Sequence, residues 1–232
     1  GVPGENILVD GQLGVAECDF PLASSSQKEQ WRVDQGWPAD CTVIGFCGRL
    51  VDEKGIMNLR DAVANLTGSI PNLKLAILGS GPLYEYLEVG DPKADFIRVL
   101  PPVPHSEVGD FLNKLDIFVL PSKPLVSRVE NWEEQFGHVL LEAIAAGALT
   151  IGSNSGAIPE VLNDPEMIFQ HSDVAALEAK LAHWLHDKEL RQLKIGQQRK
   201  ACMQRWSDTA LAARYSEFLN SLMNRKPNGS NK

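Results

Sequence analysis

Short apolar runs rich in β-branched residues alternate along this chain with stretches of helical spacing, and that alternation most narrows the folds open to it. The runs 41–48 (CTVIGFCG), 73–81 (LKLAILGSG), 95–100 (DFIRVL), 116–122 (DIFVLPS), 148–153 (ALTIGS) and 167–170 (MIFQ) read as strands. Between them, 55–66 sets Ile56, Leu59, Val63 and Leu66 on one side of a helix. Further helices are expected from Pro82 through Leu87, over 105–115 with Ser106 as its cap, and from about Gly137 through Ala146, ended by Gly147. The stretch 123–134 (KPLVSRVENWEE) reads as irregular, and the stretch from Asp173 to about Met223 as two or three helices. Strands separated by helices pair in parallel and carry helices on both faces. Continuous apolar strands agree, because a sheet covered twice needs no polar face. The expected class is therefore α/β, a doubly wound parallel sheet of about six strands. Ligands of such sheets bind beyond the carboxyl ends of the strands, so the loops after the strands carry the chemistry.

Bulk properties close off several classes of function. A chain of 232 residues buries a substantial core without staples. Its formal charge of -8 disfavours nucleic acid as a partner, though a local pair of cations can still hold a small phosphate ligand. The four cysteines (Cys18, Cys41, Cys47, Cys202) form no C-x-x-C and match no zinc spacing, so buried reduced thiols are expected. His183 and His186 lie three apart on a helix without a carboxylate to complete a metal site, and no D-x-D pair suggests a divalent cation. No G-x-S-x-G marks a hydrolase elbow. No apolar run reaches the ~20 residues of a membrane span, and the first residues lack the pattern of a signal peptide. A cytoplasmic chain is expected, with peripheral contact at the inner face of the membrane left open.

The loops after the strands offer two kinds of group. GRLVDEKG puts Arg49 and Lys54 in one strand-to-helix connection, where a planar donor fork and a mobile point charge can hold a diphosphate. With Asp52 and Glu53 between them, two solvated charges are the plainer alternative. GSGP is a tight turn, and Tyr84 stands where a dinucleotide-binding loop needs its third glycine. EQFGHVLLE is more specific, with a carboxylate at each end, Glu134 and Glu142, and free backbone amides expected near Gly137. Carboxylates accept from vicinal hydroxyls, and eight helical residues span roughly 12 Å, the separation of two sugars across a diphosphate. Glu142 can then hold a ribose and Glu134 a second sugar. Equally open, Glu134 favours the helix dipole and Glu142 pairs with a neighbouring cation. SNSGAIPE is either a connector or a ligand contact.

The ordered set GFCGRLVDEKG, AILGSGP, DIFVLPS and EQFGHVLLEAIAAGALTIGSNSGAIPEVL resembles the C-terminal, donor-binding domain of GT-B glycosyltransferases, above all family 4, the retaining group 1 type. The resemblance runs from about Val9 to about Leu222, and it implies a Rossmann-like sheet forming the C-terminal half of a GT-B fold. It implies a linker over 1–20, the donor-binding domain over 21–206, and a closing helix with a polar tail over 207–232. The N-terminal acceptor domain is then absent from this chain. The implied reaction moves a hexosyl group from a nucleoside-diphosphate sugar to a hydroxyl of a saccharide or glycolipid acceptor, in polysaccharide or glycolipid synthesis, without a metal or other cofactor.

Carried over by position, the resemblance implies Arg49 and Lys54 on the donor diphosphate and Glu134 on the transferred sugar. The backbone at Phe136, Gly137 and His138 lines the sugar and phosphate site, Val139 approaches phosphates and ribose, Glu142 holds the ribose hydroxyls, and Val103 meets the base. Three positions depart from the pattern: Pro101 and Ala157 replace glycines, and the stretch 123–133 is long, with Trp132 over the sugar site or simply anchoring the loop. The rival readings are a non-catalytic nucleotide-sugar binding module and a GT-B-like sugar epimerase. The base, the sugar and the acceptor are not legible.

Overall fold

The computed structural model describes residues 4–11, 13–88, 95–126 and 131–224. The polar tail 225–232 and the middle of the stretch 123–134 lie outside them. After a leading segment with two short 3-10 turns, Gly4–Asn6 and Glu17–Asp19, comes helix α1 (Ser25–Asp34), whose capping box joins Ser24 and Gln27: each side chain bonds the other's backbone N–H. Then follow β1 (Thr42–Cys47), α2 (Ile56–Thr67), β2 (Leu73–Leu78), α3 (Tyr84–Glu88), β3 (Ile97–Leu100), α4 (His105–Leu112) and β4 (Ile117–Leu120). A small antiparallel hairpin, β5 (Leu125–Val126) with β6 (Asn131–Trp132), leads to α5 (Val139–Ala145). The rest is β7 (Leu149–Ser153), α6 (Ile158–Leu162), β8 (Ile168–Phe169), α7 (Val174–His186), α8 (Lys188–Trp206) and α9 (Asp208–Met223).

Six strands form one sheet in the order β3-β2-β1-β4-β7-β8, and every described pairing in it is parallel. The chain winds from β1 to β3 in one direction and from β4 to β8 in the other, so right-handed crossovers set helices on opposite faces. Both faces are thereby covered, and β2, β4 and β7 are buried along their whole length. The direction reverses between β1 and β4, which are neighbours. The loops that leave their carboxyl ends diverge there and open a crevice.

Several expected boundaries shift for local reasons. The first helix after Pro82 begins only at Tyr84, because Leu83 N–H is drawn to the Leu50 carbonyl. Ser106 caps nothing: α4 starts at His105 as expected, behind Pro104, and stops at Leu112 rather than 115. The helix expected at Gly137 starts at Val139, because Gly137 holds a left-handed φ of +73°. The stretch expected to be irregular contains the hairpin. Gly147 does follow α5 in the left-handed conformation (φ +85°) of a helix-ending glycine. The C-terminal helices number three, capped by the side chains of Asp173, Asp187 and Ser207.

The leading segment is sewn to α9. Val15 bridges Ser207 in parallel, Tyr215 Oη donates to the Gly11 carbonyl at 3.0 Å, and Arg214 grips Asp10 through two nitrogens. All four cysteines are free, and Cys41 and Cys202 are buried as expected; Cys18 is exposed, on a short turn with no buried residue. Among the described residues no helix is long and apolar enough to cross a membrane, and no group of three metal-ligating side chains gathers.

Candidate active site

Three loops build the crevice, and backbone bonds lace them together. The loop after β1 is fixed to the loop after β2 by Leu50 N–H donating to the Ser80 carbonyl at 2.8 Å. On its other side, Lys123 N–H donates to the Glu53 carbonyl at 2.9 Å, tying it to the loop after β4. Gly55 ends its turn at φ +65°, and a Cβ there would lie 2.0 Å from the Pro121 carbonyl oxygen. That approach aims Lys54 across the crevice.

Lys54 Nζ meets Glu134 Oε2 at 2.6 Å and stands 4.9 Å from the centre of the Trp132 ring. Ser122 Oγ donates to the same Glu134 oxygen at 2.7 Å. Glu134 is itself fixed through its backbone, because Ala157 N–H donates to its carbonyl at 2.9 Å. Gly156, at φ +54°, backs onto that carbonyl so closely that a Cβ would lie 2.0 Å from it. The loop SNSGAIPE is therefore the support behind Glu134. Arg49 behaves differently. Its side chain is 64% exposed, with Glu53 at 3.6 Å, a pairing worth little in water.

Glu142 is the second buried acid, on the first turn of α5. His138 Nδ1 lies 3.1 Å from its Oε1, and the exposed His105 approaches the same oxygen at 3.5 Å. The other nitrogen of His138 lies 2.8 Å from the Gly14 carbonyl. The hydrogen bond to Glu142, opposed by burial and aided by Gly14, holds the His138 pKa above its ordinary 6.5. Burial pushes the Cys47 thiol, at the end of β1, up to about 12, with the Glu142 charge adding to it.

Arg49, Lys54, Glu134, Gly137, His138, Val139 and Glu142 all line one hollow of about 330 Å³ beyond β1 and β4. Val103 lines an adjoining hollow with Gly79 and Ser80, and the two share Cys47, Gly48, Arg49 and Val108. Phe136 is the exception. Its ring packs edge-on to Trp206 at 5.2 Å and does not line the hollow. Because 134–138 is not helical, the 12 Å span expected for a continuous helix does not apply. His105, which opens α4, and Ser122, in the loop after β4, are site residues that sequence reasoning passed over. A larger hollow of about 520 Å³ touches Lys28, Asp116 and Gly147. It lies at the amino ends of the strands, opposite the crevice, and holds none of these residues.

The sequence profile described as "Glycosyl transferases group 1" matches residues 27–201. A D-inositol 3-phosphate glycosyltransferase of Corynebacterium glutamicum is 33% identical over 206 residues, which cover 83% of this chain and 46% of that protein. The chain spans less than half the length of the curated relatives it first matches. Among solved structures, Anabaena HepE, determined with UDP and glucose, superposes with a TM-score of 0.72 at 18% identity, over 90% of this chain and 55% of that one. The C-terminal domain of a group 1 glycosyl transferase from Francisella tularensis, LpcC, superposes at 0.69 with 21% identity, over 84% of this chain and all (100%) of that one. A parallel sheet whose crevice gathers two cations and two buried acids, matched by the family profile over most of its length, makes this chain a member of the group 1 glycosyl transferases.

Proposed function

We propose that this chain is the donor-binding, C-terminal half of a retaining family 4 glycosyltransferase of the two-domain GT-B type. It takes a nucleoside-diphosphate sugar and passes the hexosyl group to a hydroxyl of a saccharide or glycolipid, against an acceptor domain that supplies the facing wall. The observation that carries this reading is the convergence of Arg49, Lys54, Glu134 and Glu142 on one hollow at the reversal of strand order. Two solved structures support it: HepE was determined with UDP and glucose, and LpcC is described as the C-terminal domain of its protein.

In the transfer, the bond from the anomeric carbon to the diphosphate breaks, the bond to the acceptor oxygen forms, and the acceptor hydroxyl's proton leaves with the diphosphate. Charge builds on the departing diphosphate, and cations fixed beforehand stabilise it there more than water does. Lys54 is the fixed cation and Arg49 the mobile one. Without donor, Glu134 compensates Lys54, so neither charge is left buried and alone. With donor, the diphosphate shares Lys54, and the second oxygen of Glu134 accepts from sugar hydroxyls. Glu142 accepts from the ribose, and the backbone near Val103 meets the base. The reading calls for no metal, since side chains supply the charge.

Calorimetric titration of the chain with UDP, GDP and ADP tests it. One of them is expected to bind saturably, and Glu142→Ala to weaken that binding about tenfold, the cost of about one good hydrogen bond to a charged group. Unchanged affinity in Glu142→Ala contradicts the ribose assignment. Sugar transfer by this chain alone is expected to be negligible, and robust transfer of a radiolabelled hexose contradicts the need for a facing domain.

A further inference from the structure

His138 stands between the hollow and the leading segment, and both of its ring nitrogens face acceptors. Nε2 lies 2.8 Å from the Gly14 carbonyl, which only accepts, so Nε2 carries a hydrogen. Nδ1 lies 3.1 Å from Glu142 Oε1. One hydrogen must lie between those two atoms as well. The pair therefore holds one proton more than a neutral imidazole and a carboxylate would, whichever partner carries it. Glu142 from α5 and Asp208 from α9 both act to hold the proton on the ring, burial acts against it, and the exposed His105 from α4 approaches the same Glu142 oxygen. The Phe136 ring stacks on the imidazole at 6.4 Å and shields it.

We propose that His138 is a positioning residue, a protonated strut that aims Glu142 into the hollow and ties it to the Gly14 backbone, so that donor affinity falls when the shared proton is lost. What Glu142 holds rests on the donor reading; the strut does not. Removing the proton leaves one ring hydrogen for two acceptors, so either the Gly14 carbonyl or the Glu142 carboxylate then meets a lone pair, and the link between them breaks at that end. The other end of the strut is firm, because Asp10, Gly11 and Val15 around Gly14 are all anchored to α9 or to its cap. Donor site and leading segment are thus joined by one proton-dependent link.

The test is a pair of pH titrations on the whole chain. Nitrogen-15 spectra of labelled histidine follow the His138 ring, assigned by its loss in His138→Gln. Calorimetry follows UDP, GDP and ADP with both proteins. The expected ring midpoint lies above the ordinary value of about 6.5. Nucleotide affinity is expected to fall about tenfold more across that midpoint in the native chain than in His138→Gln, whose amide donates but does not titrate. The nucleotide's own titration is common to both proteins and cancels. A ring midpoint at or below about 6.5, or the same pH profile in both proteins, overturns the strut. If no nucleotide binds at any pH, the donor reading falls, and the ring midpoint alone upholds or overturns the strut.

Discussion

Lys54 Nζ and Glu134 Oε2 stand 2.6 Å apart with side chains only 14% and 9% exposed, joining the loop after β1 to the loop before α5 across the crevice. A buried ion pair adds little net stability, but removing one partner strands the other without water. Glu134→Ala is therefore expected to cost about 3 kcal/mol, read by urea unfolding. Lys54→Met combined with Glu134→Met is expected to recover most of that loss, since an apolar pair leaves no stranded charge. Equal losses in the single and double variants contradict this account of the pair.

Gly156 is expected to tolerate no side chain. Alanine there would be forced to a left-handed φ and onto the Glu134 carbonyl. Gly156→Ala should cost about 2 kcal/mol or more and weaken nucleoside diphosphate binding, because the strain moves Glu134. Gly196, on α8, is the control, since a Cβ there would meet nothing within 4 Å. Gly196→Ala is expected to stabilise slightly, by about 0.5–1 kcal/mol.

The His138 ring gives folding a definite pH dependence. Its folded pKa is raised, so its contribution is fully present below the unfolded value of 6.5 and is lost as pH rises through the folded value. Urea unfolding of the native chain is expected to lose stability across that window relative to His138→Gln. Parallel stability curves for the two proteins contradict it.

Thiol chemistry should sort the four cysteines by burial. Cys41 is held up at about 11, and Cys47 and Cys202 at about 12, in each case chiefly by desolvation. Brief alkylation with iodoacetamide at mild alkaline pH is expected to add one label, at the exposed Cys18. Cys47 is half-buried at the edge of the hollow, and its prompt labelling contradicts the raised thiol.

The six sheet strands were legible because most are buried apolar runs and each is closed by a glycine, a proline or a polar residue, and parallel pairing follows from the helices between them. Helix α1 was not, because SSQKEQWRVD has almost no apolar face; the reciprocal Ser24 and Gln27 bonds were its available signal. The hairpin of Leu125–Val126 with Asn131–Trp132 is two residues a side, too short for any periodicity to show. At the site, residue types and spacing brought the right loops together, but not their partners. Sequence left Glu134 between a helix-dipole role and a sugar contact, and only the tertiary structure brings Lys54 to it from a position eighty residues earlier. For Glu142 the neighbour seen is the ring of His138, at the N-cap of its own helix.

A crystal structure of the chain with a nucleoside diphosphate tests the central claim most directly. The diphosphate is expected beside Arg49 and Lys54 and the ribose hydroxyls on Glu142, within hydrogen-bonding distance, with the base in the adjoining hollow near Val103. A nucleotide lodged in the hollow beside Lys28 and Asp116, or one in the crevice whose ribose faces away from Glu142, would contradict it.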